Sequence, residues 1–153
     1  MICPGWHMVL AETGLSGIFW YRHMKHPDIT EKIKGEPYAG SLGIRIDTIE
    51  DGCAVCSVTI TRDMLNFLGV VHGGLIFSLA DVTFSAASNG DHFPSYALDV
   101  SGSFLKAPRI GDVVVAEARR LHATKRTGMY RIEVLSGGEL VATFNGTVFR
   151  KTE

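Results

Sequence analysis

The stretch VVHGGLIFSLADVTFSAASNG, Val70 to Gly90, limits the folds open to this chain more than any other. It reads as one helix from about Gly73 to Asn89, with Asn89–Gly90 as its stop. Leu75, Leu79, Val82 and Ala86 form one stripe at helical spacing; Ile76, Ala80, Thr83 and Ala87 form the next, and Phe77 and Phe84 a third. A helix apolar nearly all round must be buried on most sides. From Met64 to Gly90 the only Asp, Glu, Lys or Arg is Asp81. A carboxylate in such a helix is costly unless something offsets it.

The flanking segments supply the cover. IRIDTI and CAVCSVTI, joined at Asp51–Gly52, read as a hairpin. SYALDVSGSFL, DVVVAEARRLHA, GMYRIEVLS and ELVATFNGTVFR read as four further strands, joined by KAPRIGD, TKRTG and GG. DITEKIKGEPYAGSLG suggests one or two short helices broken at Gly35 and Pro37. The pattern predicts an α+β domain in which a curved antiparallel sheet wraps one long central helix. Its edge strands invite pairing with a second copy. Residues 28–153 make this domain; residues 1–27 read as an N-terminal extension of unknown role, and MKHPDITEKIKG at Met24 offers an alternative start.

Net charge is −1, which argues against nucleic acid or an anionic membrane as partner. Residues 100–153 carry 9 Lys/Arg against 5 Asp/Glu, so the C-terminal third offers basic groups to a phosphorylated ligand. Three cysteines and the lack of a signal-peptide pattern point to the cytoplasm. Asp81, His72 and several serines argue against reading residues 70–90 as a membrane span.

Four features are candidates for chemistry. Asp81 either lies on a solvated stripe or is a carboxylate in a partly dry cleft, where desolvation makes it a better general base. His72, Gly73 and Gly74 start the helix. Its first N–H groups lack internal partners, and the glycines let a ligand approach; the alternative is a tight helix entry. Asn66 either donates its amide to a carbonyl or serves the turn. Arg109 in one turn, and Lys125 and Arg126 in another, are phosphate-binding candidates or simply polar turn residues. Cys53 and Cys56, three apart on a strand, point to opposite faces and cannot share a metal or a disulfide. No metal set is read from His7, His23, His26, His92 and His122, and no phosphate-binding glycine loop or nucleophile elbow is present.

Asn66, His72, Gly73, Gly74, Ala80 and Asp81 together resemble the motif of the hotdog-fold acyl-CoA thioesterases, in particular the phenylacetate-degradation group. The resemblance runs from about Tyr38 to Arg150. It implies homodimers that often pair into homotetramers, an active site at the dimer interface, and no metal or redox cofactor, coenzyme A being part of the substrate. It implies Asp81 as general base or nucleophile, the Gly73 N–H and Asn66 at the thioester carbonyl with His72 beside them, and Arg109, Lys125 and Arg126 near the coenzyme A phosphates. Gly74 and Phe77 are expected to contact substrate. Some relatives add a serine on the strand after the helix. Here Ala97 falls near that place, with Ser101, Ser103 and Ser85 as substitutes. The alternatives are a non-catalytic acyl-CoA-binding hotdog module and a hotdog hydroxyacyl-thioester dehydratase using His72.

Overall fold

Six strands carry alternating apolar residues, and the chain folds them into one antiparallel sheet around the long helix. The computed structural model describes residues 27–91 and 93–151. Two short helices come first, α1 (Pro27–Lys34) and α2 (Pro37–Ser41). They are followed by the hairpin β1 (Arg45–Glu50) and β2 (Cys53–Thr59), a single helical turn at Arg62–Met64, and α3 (Gly73–Asn89). The last four strands are β3 (Ser95–Phe104), β4 (Val113–Ala123), β5 (Thr127–Ser136) and β6 (Glu139–Arg150). The sheet order is β1-β2-β4-β5-β6-β3, so β3 crosses to the edge opposite β1 and pairs only with β6.

Alternate residues of the inner strands face α3. Ala54, Cys56 and Val58 on β2, Val114, Ala116 and Ala118 on β4, Tyr130, Ile132 and Val134 on β5, and Ala142 and Phe144 on β6 are all buried. They pack on Leu75, Leu79, Val82, Ala86 and Phe84 of α3. Small residues bring helix and sheet close together. At Gly146 of β6, an added Cβ would sit 2.6 Å from the Phe84 ring. Phe84 also packs edge-on against Tyr130, with ring centroids 5.4 Å apart.

The helix is buried on most sides, as its composition predicts, and one side stays open. Gly74, Phe77 and Ser85 are exposed, and Ser78 and Asp81 are half-buried. One stripe of α3 therefore stands clear of the protein's own sheet. β3 is also open: no residue from Tyr96 to Phe104 is buried, and Leu98 is 64% exposed. Both features lie on surfaces that a second copy could cover.

At the C-terminal end of α3, Asp91 accepts hydrogen bonds from Arg120 at 2.7 Å and from Arg150 at 2.6 Å. Arg120 also bonds Asp51 at 2.8 Å, which ties the β1–β2 turn to β4. Cys56 is free and buried, its thiol pushed up to about 11 mainly by burial. Cys56 is not bonded to Cys53, as their three-residue spacing on β2 requires. Among the described residues, no helix is long and apolar enough to cross a membrane, and no three His, Cys, Asp or Glu gather as for a metal. The N-terminal extension lies outside the described residues apart from Pro27, which opens α1. So do His7, His23, His26 and His92.

Candidate active site

Two donors without acceptors among the described residues lie at and just before the start of α3, one on each side of a short loop. The chain before the helix folds into a tight loop closed by a bridge between Leu65 and Val71. Asn66 holds that loop: its Oδ1 accepts from the backbone N–H of Leu68 at 2.9 Å and of Val70 at 3.3 Å. With the carbonyl so used, the Nδ2 amide finds no acceptor among the described residues. Asn66 thus serves the turn and still offers a donor, so the two readings of this residue are compatible.

His72 is the N-cap. Its Nδ1 accepts from Gly74 N–H at 2.8 Å, and its backbone carbonyl accepts from Leu75 N–H at 3.0 Å. An accepting Nδ1 is unprotonated, so the neutral ring carries its proton on Nε2. Gly74 must be small, because a Cβ there would stand 2.9 Å from His72 Nδ1. Gly74 N–H is therefore taken, and Gly73 N–H is left without an acceptor among the described residues. The cap selects which N–H remains for a ligand. The positive end of the helix dipole lies at the same point.

Asp81 lies on the partly uncovered stripe of α3. It has no hydrogen bond or ion pair among the described residues, and burial pushes its carboxyl above the ordinary aspartate range. Glu36, at the N-cap of α2, is also pushed up, first by burial and then by the Asp81 charge. At 1.5 Å rise per residue, Asp81 is about 12 Å along the helix axis from Gly73. Within a single chain the two groups are therefore too far apart to meet at one carbonyl carbon.

Ser78, one turn before Asp81, donates to Gly74 O at 2.8 Å. Its only proton is then engaged, so the Tyr38 hydroxyl is the donor in the 2.8 Å Tyr38–Ser78 hydrogen bond. On the other side of the helix start, Phe77 and Phe104 both stack edge-on against Phe144, at 5.8 and 5.6 Å. The Phe104 ring comes within 3.6 Å of where a Cβ on Gly73 would lie. Ser85 is exposed one turn past Asp81, and Ala97, Ser101 and Ser103 lie along the open strand β3.

The basic candidates separate. Arg109 precedes β4 and lines a cavity of about 640 Å³, where its backbone N–H donates to Asp112 at 2.8 Å. Lys125 and Arg126 follow β4, in a turn organised by Thr124, whose Oγ1 accepts from Arg126 and Thr127 N–H. Eleven strand residues set the two groups about 36 Å apart. Arg109 shares the sheet end of Phe104 and Gly73. Lys125 and Arg126 share the end of Arg150. Tyr38, Glu36, Ser78, Phe104 and Phe144 have no local sequence signal for the site. Tyr38 and Ser78 are 40 residues apart, and only the fold brings them together.

Residues 68–143 match the family model described as the thioesterase superfamily. A relative, the acyl-coenzyme A thioesterase PaaI of Escherichia coli K12, is 38% identical over 113 residues, 73% of this chain and 81% of its own length. The solved structure of the E. coli PaaI protein from the phenylacetic acid degradation operon superimposes with a TM-score of 0.77 at 32% identity, covering 85% of this chain and 97% of that one. A Streptococcus mutans UA159 protein solved with bound acetyl CoA superimposes with a TM-score of 0.68 at 25% identity, covering 72% and 90%.

Proposed function

The chain belongs to the thioesterase superfamily, as a PaaI-like hotdog-fold thioester hydrolase, and from that premise we propose that it hydrolyses an acyl-coenzyme A to the free acid and coenzyme A. The observation that carries the proposal is the geometry at the start of α3. Gly73 N–H and Asn66 Nδ2, both without acceptors among the described residues, are separated by one short loop and suit a carbonyl oxygen on which charge develops.

Asp81 is the base in this reading. It takes a proton from water as the water oxygen bonds to the thioester carbon. The oxyanion collapses, the C–S bond breaks, and the thiolate leaves with a proton returned by Asp81. Because about 12 Å of helix separates Asp81 from Gly73, the base comes from a second copy. Antiparallel pairing along the open edge of β3 makes that homodimer, and pairing of two dimers makes a homotetramer. It also sets the Lys125–Arg126 turn of one copy beside the Gly73 end of the other. There Arg109, Lys125 and Arg126 can serve the coenzyme A phosphates together. The substrate class is supported by the E. coli relative's activity and by the acetyl CoA bound to the S. mutans protein.

The dehydratase alternative needs His72 as an active base. The His72 Nδ1 lone pair is instead held by Gly74 N–H. A purely ligand-binding module does not fit a chain that is a thioester hydrolase. The direct test is release of free thiol from a panel of acyl-coenzyme A thioesters. Turnover with at least one of them, without added metal, is expected; no thiol release from any would overturn the proposal.

A further inference from the structure

The face of the sheet turned away from α3 carries its charges in rows. Between the buried residues of β4 and β5, alternate side chains point outward: Val115, Glu117 and Arg119 on β4, and Leu135, Glu133 and Arg131 on β5. The register sets like on like, with Glu117 opposite Glu133 and Arg119 opposite Arg131. Like charges directly opposite destabilise a sheet that faces only water. Diagonal Glu–Arg pairs are within reach of such long side chains, yet none of them forms an ion pair among the described residues. Arg131 donates instead to Thr143 Oγ1 on β6 at 3.2 Å. Apolar residues close both ends of the pattern. Val115 and Leu135 lie beyond the Glu row, and the exposed Leu121 and Met129 lie beyond the Arg row.

The order along the strands is apolar, Glu, Arg, apolar, and reversed it is its own complement. Consider a second copy related by a two-fold axis lying between the two sheets, across the strands and midway between the charged rows. Each Glu row then sits on the Arg row of the other copy. β4 faces β4 and β5 faces β5, so Glu117 meets Arg119, Glu133 meets Arg131 and Leu135 meets Met129. An axis along the strands would instead set Glu on Glu and Arg on Arg, so charge selects the orientation. We propose that the outer face of β4 and β5 is a docking surface for a second copy of this chain, packed face to face with strands antiparallel and with each like-charge row against the opposite row of the other copy. Both copies bury the same patch, as a two-fold contact requires. This surface is separate from the β3 edge and lies across the sheet from α3, so it does not rest on the hydrolase reading.

The test is the mass of the assembly in solution, read by sedimentation velocity or light scattering. Glu117→Arg with Glu133→Arg makes both rows basic, and Arg119→Glu with Arg131→Glu makes both acidic. Each of these proteins alone should have half the mass of the parent assembly, because every row then meets its own charge. Mixed in equal amounts, the two should recover the parent mass, since basic rows now meet acidic ones. Recovery on mixing also shows that both variants are folded, so the halved mass of each alone is not damage. All four substitutions in one chain exchange the rows, keep the complementarity and should keep the parent mass. The surface is wrong if either double variant alone keeps the parent mass, if their mixture stays at half, or if the fourfold exchange halves it. Thiol release plays no part in this readout, so the hydrolase reading and this surface stand or fall separately.

Discussion

Asp81→Asn separates a catalytic carboxylate from a structural one, because the two roles predict opposite changes in stability. The substitution keeps the side-chain shape and removes charge and basicity. A positioned general base contributes about 10²- to 10⁴-fold, or about 3–5 kcal/mol of barrier at 1.36 kcal/mol per tenfold. Glu36 on α2 is a carboxylate that feels the Asp81 charge. If Glu36 acts as a weak substitute base, Glu36→Gln added to Asp81→Asn should remove the residual rate. Stability moves the other way. Burial holds the Asp81 carboxyl above its unfolded value, so its favourable contribution is complete below the ordinary carboxylate range. It is lost as pH rises through the raised value. At pH 8 the parent therefore holds an ionised, unpartnered group that the amide variant lacks. Asp81→Asn should have an equal or higher Tm than the parent at pH 8, and the gap should close on acidification towards pH 4. In the parent, kcat/KM should rise with pH along a limb placed above the usual aspartate range. The assay is thiol release across pH together with thermal melts of both proteins. Turnover within about threefold of the parent would refute the base assignment. So would a variant that melts lower at pH 8, because Asp81 would then be holding the fold.

Other consequences follow from the same geometry. Asn66→Asp keeps an acceptor for Leu68 and Val70 N–H but removes the Nδ2 donor. It should hold Tm within a few degrees while lowering turnover about 10²- to 10³-fold, the loss seen when one oxyanion donor is removed. Gly74→Ala places a Cβ against His72 Nδ1 and breaks the helix cap. Chemical denaturation should read a loss of about 0.5–2 kcal/mol. Phe84→Ala empties a fully buried site over Gly146. It should cost about 3–5 kcal/mol, a Tm drop on the order of 10 °C for a domain of this size.

Much of this architecture was readable from residue order. The Gly73–Asn89 bounds of α3 follow from unbroken apolar periodicity between HGG and Asn89–Gly90. The hairpin at Gly52 and the four later strands follow from alternation and turn residues. What stayed hidden depends on contacts far apart in sequence. Alternation does not show where β1 and β3 slip register, between Ile46 and Thr48 and between Ala97 and Asp99. The helix composition predicts burial on most sides but not which side stays open; the stripe through Phe77 and Ser85 does, because one sheet cannot surround a helix completely. At the site, the motif residues were found, but their division of labour was not. Only the folded loop shows that Asn66 uses its carbonyl internally and keeps its amide, and that His72 takes Gly74 N–H and leaves that of Gly73. Arg109, Lys125 and Arg126 look alike as basic turn residues, and strand β4 sets them at opposite ends of the sheet.

The central claim is that each site joins Asn66 and Gly73 of one copy to Asp81 of another. Subunit complementation tests it most directly. Asp81→Asn and Asn66→Ala proteins, each nearly inactive, are unfolded together in equal amounts, refolded and assayed for thiol release. Random pairing makes half the dimers mixed, and a mixed dimer has one intact site of two, so the account predicts recovery of about one quarter of the parent activity per subunit. If each site is built within one copy, every site carries a lesion. The mixture would then stay as inactive as its parts, and that result would contradict the shared site.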